Sequence, residues 1–179
     1  MKYDNQYYLL CESGHAGFHM LGQTEESDKG LRHLMATRSL RREVTGVGKV
    51  RVFEGNKKNF SPCDYHEISE QMVSEKFRQA LLPFDLQGVD FYPTEVTNGD
   101  KVWPNYFMMH IWNNYRAIHQ GRSVIDGIYV KNDFFLKALS LDETLVDALK
   151  AANLTGVGFI RVDQWGPAAM FSDDDFGDL

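Results

Sequence analysis

The chain has 179 residues, 43% hydrophobic and 25% charged, the balance of an ordinary globular protein long enough to bury a core without staples. Nineteen Lys and Arg against 25 Asp and Glu leave a net charge of −6. That argues against a nucleic-acid binder, which needs a basic face to neutralise phosphates, and fits a basic protein partner.

The N-terminal stretch Tyr3 to Cys11 is aromatic and apolar and predicts a first strand. No basic, then long apolar leader precedes it, and no window approaches the roughly eighteen apolar residues of a membrane span. The expectation is a cytoplasmic protein with no membrane partner. Two cysteines, Cys11 and Cys63, are too few for a disulfide framework and read as reduced thiols.

Glu12 to Gly30 holds Gly14, Gly17, Gly22 and Gly30 with two histidines, and reads as loop with at most short structure. Arg38 to Glu43 is basic, and Val50 to Phe53 is a short strand. Ser61-Pro62 cannot sit inside a helix. Val73, Phe77, Leu81 and Phe84 then recur at helical spacing, with charged and polar residues between them. Val89 to Tyr92 alternates as a strand, closed by Pro93. Asn98-Gly99-Asp100 is a turn signal, and Trp103-Pro104 reads as a turn that leaves Trp103 partly exposed. Tyr106 to Trp112 predicts a buried strand, and Val124 to Val130 another, interrupted by Asp126-Gly127.

A helix–glycine–strand unit then returns. Leu141, Leu145, Ala148, Leu149 and Ala152 form an apolar helical face, and Val157 to Val162 a strand. A shift of 68 residues superimposes Glu75, Ala80, Leu81, Leu86, Gly88, Val89 and Phe91 on Glu143, Ala148, Leu149, Leu154, Gly156, Val157 and Phe159. Seven identities in a 17-residue window exceed the roughly one expected by chance. Each helix should pack its stripe on the sheet that receives the strand after it. The predicted fold is α+β, one domain, with a mixed or antiparallel sheet and two equivalent helix–Gly–strand units. Residues 1–60 form a strand- and loop-rich part, and 61–165 a core with the repeat at 70–93 and 138–162. Residues 166–179 form an acidic tail, read as solvated.

Catalytic motifs are missing. No Gly-x-Gly-x-x-Gly, no Walker loop and no Gly-x-Ser-x-Gly elbow occurs. Ser13-Gly14-His15 brings a hydroxyl and an imidazole together in sequence, but nothing orients the histidine as a base. Cys11, His15 and His19 have the atoms for a zinc site. However, Gly14 and Gly17 interrupt the helix that would align the two rings, so the plain reading is polar loop histidines. Cys63-Asp64-Tyr65-His66-Glu67 likewise has ligand atoms without a second pair at zinc spacing. His110, between Met109 and Ile111, reads as a buried, satisfied histidine. Trp103, Tyr106, Phe107, Trp112 and Tyr115 read as core aromatics, with Trp103 a candidate interface anchor. Asp173, Asp174 and Asp175 are a second candidate partner contact, since an acidic tail can dock on a basic protein.

Gln71-Met72-Val73-Ser74-Glu75-Lys76-Phe77, followed by Gly88-Val89-Asp90-Phe91-Tyr92-Pro93, resembles the central signature of a bacterial immunity-protein family. It is the eleventh numbered family of polymorphic-toxin immunity proteins, formerly a domain of unknown function. Tyr7 to Leu10 resembles the opening strand, and Pro62-x-Asp64-Tyr65 the approach to the first helix. Tyr106 to Ile111 resembles the following strand, and Leu154 to Phe159 the C-terminal unit. The resemblance covers residues 60 to 162 well and the N-terminal third loosely. The chain departs from the pattern between Ile118 and Leu139, where Asp133-Phe134-Phe135-Leu136 takes the place of a phenylalanine-led strand.

The resemblance implies a protein that neutralises a cognate toxin by binding and occlusion, in a contact-dependent or type VI secretion system. It implies no catalytic residues and no cofactor, and leaves open the oligomeric state and whether Cys11, His15 and His19 hold a metal. Two alternatives remain from the residues themselves. One is a small hydrolase using His15 or His66, with a metal held near Cys11 and Cys63. The other is a structural protein of a secretion or phage particle.

Overall fold

Strand alternation sorts the apolar residues of the central strands onto two faces, and each face builds its own core. In the computed structural model, residues 8–13, 19–32, 44–55, 57–68, 71–84, 86, 89–111, 126–131, 134–139, 143–161 and 164 are described. The elements in chain order are β1 (Tyr8–Glu12), β2 (His19–Gln23), α1 (Lys29–Arg32), β3 (Gly48–Gly55), β4 (Tyr65–Glu67), β5 (Gln71–Ser74) and α2 (Glu75–Leu81). They continue with β6 (Val89–Asn98), β7 (Lys101–Ile111), β8 (Asp126–Lys131), β9 (Phe134–Leu139), α3 (Glu143–Ala151) and β10 (Val157–Arg161).

The strands form two sheets. The larger runs β2-β3-β6-β7-β5-β4, with β3 and β6 parallel and the other neighbours antiparallel. The smaller runs β10-β1-β9-β8 and is antiparallel. The α+β class and the mixed sheet therefore hold. The N-terminal part supplies β1 to the smaller sheet and β2 and β3 to the larger one.

Period two explains the cores. Val73, Met109 and Phe91 face one way, into a core with Phe77 and Leu81 of α2, Leu145, Val146 and Leu149 of α3, and Leu10 and Phe159 of the smaller sheet. Their sequence neighbours Met72, Met108 and Tyr92 face the other way, with Val50, Val52, Val96, Tyr106, Leu31 and Phe60. Each large apolar side chain so buried contributes about 1.5–3 kcal/mol.

The repeated unit keeps its geometry. Glu75 and Glu143 each open a helix, Leu81 and Leu149 are each buried, and Val89 and Val157 each open a strand. As expected, α2 packs on the sheet its strand joins, against β5 and β7. α3 packs against α2, and the two meet in the core shared with strands of both sheets.

Several boundaries differ from the sequence reading. Val73 belongs to β5, not to the helix. Ser74 is extended (φ −74°, ψ 165°), and its hydroxyl accepts the Phe77 N–H, which starts α2 at Glu75. Within Glu12 to Gly30, expected as loop with at most short structure, the short pieces are β2 and the single turn α1, each anchored by one leucine, Leu21 or Leu31, too few for a periodic signal. Pro93 does not close its strand: β6 continues to Asn98, and Pro93 lies one residue before the parallel pairing with β3 begins at Thr94.

Trp103-Pro104 is not a turn either. Both lie in β7, where Pro104 and Asn105 together oppose Glu95 across a bulge, a place where a strand tolerates proline. Asp126-Gly127 marks a second bulge, between β8 and β9. Gly99-Asp100 forms the two-residue turn between Asn98 and Lys101. Gly99 has φ +60°, the left-handed first position of a type II′ hairpin turn.

Candidate functional site

Two features of this fold gather functional chemistry: the seam between the sheets, and the half of the larger sheet that no described helix covers.

The seam forms where β1 runs past β4. His66 is buried, 1% exposed. Its Nε2 accepts the backbone N–H of Cys63 at 2.8 Å, which places the ring proton on Nδ1. Nδ1 donates to Glu12 Oε1 at 3.0 Å, while Glu12 Oε2 accepts the backbone N–H of Glu67 at 3.0 Å. A carboxylate orienting an imidazole is also the supporting half of a catalytic triad. There the other nitrogen must face a nucleophile, whereas here it faces a backbone amide. The pair ties β1 of one sheet to β4 of the other.

Cys11 and Tyr65 complete this side. Burial, reinforced by the Glu67 carboxylate, pushes the Cys11 thiol from an ordinary 9.0 up to about 12. A thiol so placed is protonated at neutral pH and a poor nucleophile or ligand. Tyr65 is fully buried and donates to Glu67 Oε1 at 3.0 Å, and burial first, Glu67 second, raises its phenol well above 10.0.

Asp64 holds the other side. Its Oδ1 accepts the Ser74 hydroxyl at 2.5 Å, and its Oδ2 accepts the Thr155 N–H at 2.8 Å and the Thr155 hydroxyl at 3.0 Å. The Asp64 N–H returns a bond to the Thr155 carbonyl at 2.9 Å. Lys76 lies 3.9 Å from Asp64 Oδ2 and donates to the Asn153 carbonyl. Asn153 has φ 49° and Gly156 φ 73°, so left-handed residues end α3 and present Thr155 to Asp64. The Ser74 hydroxyl donates to Asp64 while accepting from Phe77 N, so it acts as a helix cap. The start of α2 and the end of α3, one from each copy of the repeat, are thus joined through one carboxylate.

The second feature is the half of the larger sheet that lies beyond the helices. Lys49, Arg51 and Phe53 alternate outward from β3, opposite buried Val50 and Val52. Thr97 is paired with Arg51 and with Val102, which is 54% exposed. From β2, Gly22 is paired with Arg51, and Met20, 46% exposed, with Glu54. The Arg51 guanidinium lies 4.5 Å over the Phe53 ring, a cation–π contact. Lys49 pairs with Glu95. The Phe53 ring closes on Gly22: a Cβ there would meet Phe53 Cε2 at 2.5 Å.

The residues singled out from sequence are dispersed. Trp103 is half-buried. It is paired with Val96 and sets its ring edge-on to Phe60 at 5.6 Å, on the face opposite to Val102. Asp173, Asp174, Asp175 and His15 lie outside the described residues. Cys11 is in β1 and His19 in β2, strands of different sheets. Among the described residues, no three His, Cys, Asp or Glu converge as a metal site requires. His110 is buried beside Tyr92, with ring centroids 6.4 Å apart. Sequence reasoning missed Glu12, Thr155 and the outward row of β3. The exposed–buried alternation through Arg51 and Phe53 was the available signal for that row. No local pattern joins Asp64 to Thr155, 91 residues away.

No family model matches the chain, and no curated protein matches it in sequence. Among the described residues, no helix is long and apolar enough to cross a membrane.

Proposed function

We propose that this protein acts by binding rather than by catalysis: it is a cytoplasmic immunity protein that neutralises a cognate bacterial toxin by occluding it. The observation that carries the reading is the His66–Glu12 pair. The imidazole, which a hydrolase would use as its base, has Nε2 on the Cys63 amide and Nδ1 on the Glu12 carboxylate. Cys11, the other reactive group there, is held as a thiol.

The resemblance of residues 71–77 and 88–93 to the immunity-family signature supports the same reading. So does the charge of −6, which speeds encounter with a basic toxin and leaves tight binding to a few buried anchors. The reading assigns the protein no cofactor. Co-expression with the toxin gene encoded beside it should restore growth of an otherwise killed host. Continued killing in the presence of soluble protein would reject it.

A further inference from the structure

We infer that the exposed outward face of β2, β3, β6 and β7 is the interface of a homodimer. Three large apolar side chains, Met20, Phe53 and Val102, are between 39% and 54% exposed on this one face. Clustered apolar exposure of this kind marks an association surface.

Charge selects the partner. The face carries two cations, Lys49 and Arg51, and two carboxylates, Glu54 and Glu95, so it is neutral, while the whole chain carries −6. Two copies that met through the acidic remainder would repel each other; through this face they do not. A two-fold interface must also be complementary to itself. With both signs on the one face, Arg51 of one copy can meet a carboxylate of the other, Glu54 foremost because Glu95 is paired with Lys49 of its own chain, beside the exposed Phe53 and Val102.

The shape fits as well. Gly22 has no side chain, and the Phe53 ring comes in where a Cβ would stand, which keeps this part of the face low. Two such faces can then pack as sheet on sheet, about 10 Å apart. A nucleic acid does not suit this face, since its two carboxylates stand among the cations.

Sedimentation velocity of the full chain over about 1–100 μM reads the result directly. The expected outcome is a dimer that Phe53→Glu and Val102→Glu each weaken at least about tenfold, with unchanged circular dichroism, since both side chains are already exposed. A charge swap adds a second readout. Lys49→Glu/Arg51→Glu and Glu54→Arg/Glu95→Arg proteins should each be monomeric alone and form a mixed dimer together. A monomer across the whole range, as when other residues of the same chain cover the face, overturns the inference. A dimer indifferent to both glutamate substitutions overturns it equally.

Discussion

Asp64 and Thr155 hold each other from both ends. The Asp64 N–H donates to the Thr155 carbonyl at 2.9 Å, and the Thr155 N–H donates to Asp64 Oδ2 at 2.8 Å. Through this pair the approach to β4 is stitched to the turn between α3 and β10. Because Ser74 caps α2 and binds the same carboxylate, both copies of the repeat depend on it.

Asp64→Ala should therefore destabilise the fold by about 2–4 kcal/mol. It leaves the Thr155 N–H and the Ser74 hydroxyl without their charged acceptor. Asp64→Asn keeps an acceptor for only part of the set and should cost about half as much. Urea denaturation of the two variants checks the order.

Glu12→Gln separates the two jobs of the Glu12 carboxylate. Two donors need it, His66 Nδ1–H and the Glu67 N–H, and a glutamine offers a single carbonyl oxygen. The expected loss is about 1–2 kcal/mol. Hydrogen exchange should rise at the β1 and β4 amides while the α2 amides stay protected.

Alkaline pH should weaken the protein, and the sign follows from the raised values. Folded Cys11 keeps its proton up to about pH 12, whereas the unfolded thiol releases it near 9.0. Stability is complete below about pH 9 and declines as pH rises toward 12, by at most ~1.4 kcal/mol per pH unit for this group. Tyr65 adds a decline above pH 10, as does Tyr106, whose phenol is raised by burial first and Asp64 second. Cys11→Ser should flatten the curve between pH 9 and 10 and leave the later decline. Denaturation midpoints at each pH read this, and the Cys11 thiol should alkylate slowly at pH 8 in native protein.

Gly48→Ala tests the buried pairing of β3 with β6. A Cβ at Gly48 would stand 2.7 Å from Thr94 Oγ1 and 3.0 Å from Met108 Cε. Thr94 and Met108 are fully buried, and Thr94 Oγ1 accepts the Met108 N–H. The strand must shift or that bond must break, at about 1–3 kcal/mol. Gly99→Ala meets nothing within 4 Å but must hold φ +60°, for about 1 kcal/mol. Thermal melts rank the two.

The repeat was the most legible part of the chain. Phe77 and Leu81, then Leu145 and Leu149, recur at helical spacing and are buried as that spacing requires. The strand at Val50 to Phe53 and the turn at Gly99 were equally plain, because alternation and a left-handed glycine are local signals. Pro93 and Trp103-Pro104 misled because proline breaks strands in general. Here one precedes the parallel pairing and the other sits at a bulge, and only tertiary pairing shows either. The seam was half legible. Cys63 to Glu67 stood out by composition. That His66 Nε2 faces a backbone amide depends on the path of the chain, and its partner Glu12 lies 54 residues away.

The most direct test of the binding account is calorimetric titration of the purified protein with the toxin domain encoded beside it, inactivated by mutation. The expected result is a one-to-one complex with a dissociation constant of about 1 nM or below, together with loss of toxin activity at equal stoichiometry. No heat of binding, with the toxin fully active beside a folded excess of this protein, would contradict it.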